Sequence, residues 1–347
     1  MATSSNRGGG AEREPPHPPI NLIFVEHRQK HKTMQVKRIA DQGPPGAEAT
    51  VTLTVSGNVL EVRHCLRLPP GIAIEKLNAD QYVDKRTGEV KDFVHNSTRA
   101  DDPISVKQSL KRLRDIINAN LTDPQTALWV TLTYAENMTD SAKLYQDFRR
   151  FWQRFKYYLD KNKLPPAEYI AAAEPQGRGA WHLHCLFIFP EKAPYIANAE
   201  ISRLWKRGFT KTKSLSGVDN PGLYLTAYLG DLELTEAIDL KSTAGRLKKT
   251  SDCAGARKAV IKGARLKLYP PGFNLYRHSR GVQLPEKYQM AEAQAQKIIN
   301  GAPLSYEKTV VLLGDDGETI NIIHYRQYNR SRMKQICMPK TNQKGGG

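Results

Sequence analysis

The chain has 347 residues, of which 39% are hydrophobic, so it is long enough for a main domain with additions and exposed ends. Its 52 Lys and Arg residues outnumber 35 Asp and Glu residues, and the net charge of +17 points to nucleic acid, with an anionic membrane surface as the rival partner. No apolar run is long enough to span a bilayer, no charged-then-apolar signal opens the chain, and the four cysteines form no CxxC pair. These features argue against a membrane-spanning protein and against a cysteine-based zinc site, and they predict a reduced cytoplasmic protein.

The first 124 residues are predicted to hold a disordered segment followed by hairpins and a helix. Residues 1–20 are rich in Gly, Ser and Pro, which is typical of disorder. In residues 21–124, the alternation around Ser56-Gly57-Asn58 predicts a β-hairpin, and Thr87-Gly88 predicts a second one. A helix with Ser105 as its N-cap is indicated by apolar residues at helical spacing, namely Val106, Leu110, Leu113 and Ile117.

Residues 125–240 have the clearest pattern, with predicted elements in the order β-α-β-β-α-β-α. The strands are predicted at 127–134, in "EYIAAAE" ending at Glu174, in "WHLHCLFIF" and in "GFTKTKSL". The helices are predicted from about Asp140, from Pro194 to Trp205 and from Asn220-Pro221. This order predicts an α+β fold in which an antiparallel sheet has helices on one face, as in split βαβ, ferredoxin-like proteins.

The last part of the chain is basic. We divide it into a region at 241–330, with a helix predicted from Pro285 and a hairpin at "GDDGE", and a basic tail at 331–347. Residues 241–267 contain nine Lys or Arg residues and one acid, Asp252. A basic run is often plain solvated surface, but two such runs in a chain of net charge +17 favour contacts with nucleic acid phosphates.

Two histidines mark the strand "WHLHCLFIF". Because strand side chains alternate, His182 and His184 point to one face while Cys185 points to the other. A tight turn, "PQGRGA", brings Glu174 back beside them. One carboxylate and two imidazoles suit Mg²⁺, Mn²⁺ or Zn²⁺ with positions left for substrate oxygens. The alternative is that these are ordinary histidines of a strand, without a metal.

Tyr224 and Tyr228 are four residues apart in the last predicted helix, so they share one face of it. Beside a metal site, a tyrosine can attack phosphorus if its phenol, with a pKa of ~10, loses its proton as it reacts. Two tyrosines on one face would act in turn on the same phosphate. The alternative is a pair of aromatic core residues.

Three segments resemble the motifs of one enzyme family. "WVTLTY", "WHLHCLFIF" and "GLYLTAYLGD" are similar, in this order, to the three motifs of the HUH endonucleases. The resemblance spans residues 127–231. The tyrosines follow the histidines, as in the replication initiators of rolling-circle plasmids and single-stranded DNA phages, whereas conjugative relaxases have the reverse order. A relaxase or HUH transposase is therefore the second interpretation, and a non-catalytic origin-binding protein is the alternative of another class.

The resemblance implies a role for each matching residue. His182, His184 and Glu174 would bind Mg²⁺ or Mn²⁺, and Tyr224 would form a 5′-phosphotyrosine link to origin DNA and free a 3′-OH, with strands rejoined later. Tyr228 matches the second tyrosine of two-tyrosine members. A host helicase and polymerase in a bacterial cytoplasm are the implied partners, because the chain has no Walker A motif of its own.

One departure concerns a lysine that many relatives have just before the second tyrosine, where this chain has Ala227. Four cations after the histidine strand are candidates to replace it and to contact DNA, namely Lys206, Arg207, Lys211 and Lys213. Arg178 in the turn is a further phosphate contact. Trp181 and Tyr134 are candidates for stacking on bases, with a place in the core as the equal alternative for Trp181. Tyr224 is the expected initiating nucleophile because it lies nearer the free N–H groups at the helix start than Tyr228 does.

Overall fold

The computed structural model describes residues 35–39, 45–67, 74–93, 95, 97–216, 218–226, 229, 232–233, 246–251, 257–262, 264–314 and 316–333. The predicted disorder of residues 1–20 and most of the basic tail at 331–347 fall outside these ranges. Within them, no helix combines the length and the apolarity that a membrane span requires.

The strands, in chain order, are β1 (Gln35–Ile39), β2 (Thr50–Ser56), β3 (Val59–Cys65), β4 (Ile74–Lys76), β5 (Gln81–Asp84), β6 (Val90–Asp92), β7 (Ala127–Thr133), β8 (Glu168–Pro175), β9 (Trp181–Ile188), β10 (Thr210–Lys213), β11 (Leu232–Glu233), β12 (Arg246–Ser251), β13 (Arg257–Lys262), β14 (Tyr276–His278), β15 (Glu286–Ala291), β16 (Leu304–Leu313) and β17 (Thr319–Asn329). The α-helices are α1 (Pro103–Asn120), α2 (Ser141–Lys161), α3 (Asn198–Trp205), α4 (Pro221–Thr226) and α5 (Glu292–Ile299). Short 3-10 turns lie at Arg99–Asp101, Pro124–Thr126, Ala264–Leu268 and Arg330–Arg332.

The central sheet has five antiparallel strands in the order β10-β7-β9-β8-β14. From β7 to α4, the elements follow each other as β-α-β-β-α-β-α, the order predicted from the sequence. The predicted α+β class with an antiparallel sheet is confirmed.

Side-chain alternation gives this sheet two apolar faces, and helices cover both. On one face, Leu132, Leu183 and Phe187 pack against α2 and α3. On the other face, Trp129 and Leu186 pack against α1, with α4 beside it. We call this second face the α1 face. The prediction put helices on one face only, but strands that bury side chains on both faces need a second helical layer.

Both ends of the chain meet in a six-stranded sheet of order β1-β16-β17-β3-β2-β15. The hairpins predicted around Gly57 and in "GDDGE" are two of its building blocks, β2–β3 and β16–β17. Helix α5 covers one face of this sheet, where Ala295 and Ile299 contact Leu53 and Leu60. Helix α1 joins this sheet to the central sheet, because Lys111 contacts both Glu61 of β3 and Asp115 of α1.

Three helix starts differ from the prediction. Helix α1 is capped by Asp102, whose side chain accepts a hydrogen bond from the Ser105 N–H, so Ser105 lies in the first turn. Helix α3 begins at Asn198, because the segment from Pro194 stays irregular and buries Ile196. Residues after Pro285 first form strand β15, because the edge of β2 offers backbone hydrogen bonds there.

A buried ion pair holds α5 on the six-stranded sheet. Both guanidinium nitrogens Nη1 and Nη2 of Arg326 donate to the Glu292 carboxylate, at 2.8 and 2.6 Å, and both side chains are at most 5% exposed. Burial alone would raise the pKa of Glu292, but the hydrogen bonds from Arg326 outweigh it and lower the pKa below the ordinary 4.5.

We predict that Glu292→Gln lowers the free energy of unfolding by about 3–5 kcal/mol at neutral pH, because Arg326 would keep a buried, uncompensated charge. A carboxylate with a lowered folded pKa stabilises the protein above pH 4.5, and this contribution is lost as the pH falls through the folded pKa. The difference between variant and wild type should therefore shrink below pH 4.5 in denaturant titrations. Glu318→Gln, at an exposed turn, is the control, and an equal loss in both variants would contradict the prediction.

Candidate metal centre and nucleophile

Three ligand atoms converge on the α1 face where β8 and β9 meet. The register pairs Glu174 with His182, and His184 follows two residues later on the same face. His184 Nε2 lies 2.7 Å from Glu174 Oε2, and His182 Nε2 lies 3.0 Å from His184 Nε2 and 3.6 Å from Glu174 Oε2. The three residues predicted as metal ligands are thus brought together.

The spacing of these atoms fits a divalent ion. Neighbouring ligands about 2.1 Å from a cation lie about 3.0 Å apart in octahedral geometry and slightly further apart in tetrahedral geometry. The three observed separations, 2.7, 3.0 and 3.6 Å, bracket that value. Two imidazole nitrogens and one carboxylate oxygen occupy one side of such an ion and leave the other side for substrate.

The protonation states are those that metal ligands need. Burial alone would raise the pKa of Glu174, but His184 and Arg265 outweigh it and hold this pKa well below its ordinary value. Burial lowers the pKa of His184, although Glu174 opposes the shift. The carboxylate is therefore ionised and the imidazole of His184 neutral at pH 7.

A threonine on the neighbouring strand orients one ligand. Thr131 of β7 lies directly opposite His184, and its Oγ1 is 3.3 Å from His184 Nδ1. When Nδ1 carries the proton, it donates to Thr131, and the Nε2 lone pair is left for a metal. The hydroxyl therefore fixes both the ring orientation and the tautomer.

Arg265 is a site residue that the sequence analysis missed. Its side chain is 4% exposed, its Nη1 lies 2.9 Å from Glu174 Oε1, and it donates to the Pro175 carbonyl at 2.6 Å. Arg265 thereby binds one carboxylate oxygen while the other faces the histidines. The sequence placed Arg265 in a basic run expected to contact phosphates, and no spacing in that run distinguishes a buried arginine from exposed ones.

Tyr224 lies on the α1 face beside the three ligands. Its ring meets Trp129 edge to face, with centroids 5.4 Å apart, and Trp129 in turn is 6.1 Å from the His184 ring. Tyr228 and Ala227 lie outside the described residues. The structure therefore places one of the two candidate tyrosines within one aromatic ring of the ligands.

Helix α4, which carries Tyr224, is held by two buried asparagines. Asn118 of α1 accepts from the Gly222 N–H at 2.8 Å, Asn220 accepts from the Leu223 N–H at 3.0 Å, and the two side chains are bonded to each other. The N–H groups of the first turn are thus occupied, and the Tyr224 N–H bonds to the Asn220 carbonyl. The argument that free amides at the helix start favour Tyr224 is wrong for this helix.

The predicted DNA contacts divide between the two faces. Lys211 lies opposite Thr131 on the α1 face, and Lys213 Nζ is 5.2 Å from the centroid of the Trp129 ring. Arg178 is exposed in the turn between the two ligand-bearing strands. Arg207 instead donates to Asp147 of α2 at 2.9 Å, and Lys206 is the exposed, left-handed C-cap of α3.

The two aromatic candidates belong to the core. Trp181 is 3% exposed, stacks on Phe273 with centroids 4.8 Å apart and donates to the Thr139 carbonyl. Tyr134 is 5% exposed, and its hydroxyl donates to Asp147 at 3.2 Å. Neither ring is open to a base, so the core alternative describes Trp181.

Comparison with known proteins gives one match. Residues 127–233 match a family model described as "Replication-associated protein", of the ORF2 type. No curated protein and no solved structure matches the chain. The matched segment runs from β7 to β11 and includes Glu174, His182, His184 and Tyr224. This part of the chain is therefore similar to replication-associated proteins, a likeness that supports a role in DNA replication.

We predict that Thr131→Val weakens Mn²⁺ binding about 10- to 100-fold, because outer-shell hydrogen bonds contribute that much to metal affinity. Titration calorimetry of the purified protein with Mn²⁺ measures the change. Thr212→Val on β10 is the matched control and should bind as the wild type does. Unchanged affinity in Thr131→Val would show that the hydroxyl does not orient His184.

We predict that Gly222→Ala displaces α4. A Cβ at this position would collide with the Arg114 carbonyl and lie 2.7 Å from Asn118 Oδ1. The overpacking should cost about 1–3 kcal/mol of unfolding free energy. Leu223→Ala, at a half-exposed position of the same helix, should cost less, and denaturant unfolding of both variants compares them.

Proposed function

We propose that this protein is a rolling-circle replication initiator that cleaves single-stranded origin DNA with Tyr224 as nucleophile and later rejoins strands. The observation that carries the proposal is the convergence of Glu174, His182 and His184 on the sheet face that also holds Tyr224. The match of residues 127–233 to replication-associated proteins supports the same role.

In this proposal, the three ligands hold Mg²⁺ or Mn²⁺. Such an ion would polarise the scissile phosphate and offset the charge that develops on its non-bridging oxygens. The Tyr224 oxygen forms a bond to phosphorus as the bond to the 3′ oxygen breaks. Tyrosine loses one proton and the leaving 3′ oxygen gains one, so the step needs no net acid or base. The products are a 5′-phosphotyrosine link and a free 3′-OH.

Lys211 and Lys213 are the best candidates to replace the lysine that Ala227 lacks. Both lie on β10, and the register places Lys211 on the same face as His184, with Thr131 between them. Arg207 is bound to Asp147 on the other face, so it is less suited to this role. Tyr228 remains our candidate for the second transfer, and a host helicase and polymerase are the proposed users of the nicked strand and its 3′-OH.

We predict that His182→Ala and His184→Ala each abolish the covalent adduct with single-stranded origin oligonucleotides in Mn²⁺, while DNA binding stays largely intact. Binding is retained because phosphate contacts come mainly from Lys and Arg. Glu174→Ala should reduce the adduct rate and the metal affinity. Adduct is measured by denaturing gel, and His95→Ala, an exposed histidine away from the ligands, is the control. Unchanged adduct in all three site variants would refute the metal assignment.

We predict that Tyr224→Phe eliminates first cleavage and that Tyr228→Phe retains it but impairs the second transfer. Peptide mass spectrometry locates the adduct, and Tyr195→Phe, at a side chain 92% exposed, is the matched control. An adduct that survives in Tyr224→Phe and disappears in Tyr228→Phe would reverse the two roles. No adduct with any origin oligonucleotide would favour the non-catalytic, origin-binding alternative.

A further inference from the structure

A groove of about 1160 Å³ lies between α1 and β14, at the edge of the central sheet and beside β15. We call it the α1–β14 groove. It is separate from the three metal-ligand candidates, none of which lines it. The lining residues that matter below are Arg99, Arg112, Tyr276, Arg277, His278 and Lys287.

The groove is strongly cationic. Arg99, Arg112, Arg277 and Lys287 line it, and none of them forms an ion pair with a carboxylate of the described residues. The described lining contains one acid, Asp115, which Lys111 already neutralises at 2.7 Å. The buried Nε of Arg99 has no hydrogen-bond acceptor within the described part of the chain. Four cations without counter-charges and an unused buried donor indicate an anionic ligand.

Aromatic rings accompany these cations. The rings of Tyr276 and His278 are stacked on β14, with centroids 6.4 Å apart and planes 22° apart. On its outer side, β14 pairs with no other described strand, so the two rings stand at the open edge of the sheet. Aromatic rings beside a basic groove are the combination on which single-stranded nucleic acid binds, by stacking of bases and by contacts to phosphates.

The groove also opens on the correct side of the sheet. Tyr276 lies opposite Ala172, and Ala172 lies opposite His184, so all three side chains are on the α1 face. Two strand spacings separate Tyr276 from His184, which is about 10 Å. A strand of DNA held at the metal-ligand candidates therefore passes close to the groove.

We propose that the α1–β14 groove binds the backbone of the single-stranded DNA that flanks the cleaved phosphate, with Arg112 and Lys287 on phosphates and Tyr276 and His278 under bases. This inference rests on the proposed function for its location beside the cleaved phosphate. Its occupant is single-stranded because the site is a concave groove, whereas duplex readers insert a protruding helix or ribbon into the DNA.

The test compares two charge-neutralised pairs. Arg112→Gln with Lys287→Gln removes the two groove contacts, and Arg149→Gln with Lys156→Gln removes one Arg and one Lys from the exposed side of α2. The probe is a fluorescein-labelled single-stranded DNA of about 16 nucleotides, with binding measured by anisotropy in EDTA across a salt series. Loss of two phosphate contacts should lower the salt slope by about 1.4 and the affinity about 10-fold, and the control pair should bind as wild type.

Photo-cross-linking with the same DNA carrying iododeoxyuridine gives a second measurement that needs no variant. The expected adducts lie on Tyr276 or His278. Equal binding by the two variant pairs, a loss confined to duplex DNA, or a cross-link map that excludes residues 272–278 would overturn the proposal.

Covalent adduct formation by the same proteins separates the two hypotheses. If wild type forms the Tyr224 adduct and the groove pair binds normally, the groove assignment fails and the endonuclease assignment stands. If no protein forms an adduct but the groove pair loses single-strand binding, the endonuclease assignment fails and the groove remains a DNA site.

Discussion

The candidate site depends on the register of the β8–β9 hairpin. A shift of one residue would turn Glu174 to the face opposite the histidines. The turn fixes that register through the bonds from Gln176 N–H to the Ala180 carbonyl and from Gly179 N–H to the Gln176 carbonyl, with Gly179 at φ +83°. Trp181, the first residue after the turn, is anchored in the core by its ring and its indole N–H. The buried tryptophan thus serves the site by holding the strand that carries both histidines.

The site also depends on parts of the chain that lie outside the segment matched to replication-associated proteins. That segment, residues 127–233, supplies Glu174, both histidines and Tyr224. The orientation of the carboxylate comes from Arg265, and the position of α4 comes from Asn118 and the close approach of Gly222 to the α1 backbone. Helix α1 is itself bound to the six-stranded sheet through Glu61. The terminal regions therefore form part of the support of the nucleophile, in addition to any role in binding DNA.

Local patterns predicted much of this arrangement. The period of two placed His182 and His184 on one face, and the short turn brought Glu174 to them, because both are properties of neighbouring residues. Arg265 and Asn118 could not be found in this way, since each acts on a residue about 90 to 100 positions away. The pairing of β2 and β3 with β15 and β17 failed for the same reason. Asp102 displaced Ser105 as the N-cap because a capping side chain is chosen by geometry among several polar neighbours.

The charge balance of the site explains how an ionised carboxylate can lie at the centre of a DNA-cleaving face. Glu174 is the one acid of the three ligands, and Arg265 compensates it from behind. Two neutral imidazoles add no negative charge, so a divalent ion bound there would keep most of its own charge for a phosphate. Lys211 and Lys213 on one side and the α1–β14 groove on the other extend this positive region across the sheet edges. A site built from three carboxylates would repel the same phosphate, which is why two histidines suit this face of a chain with net charge +17.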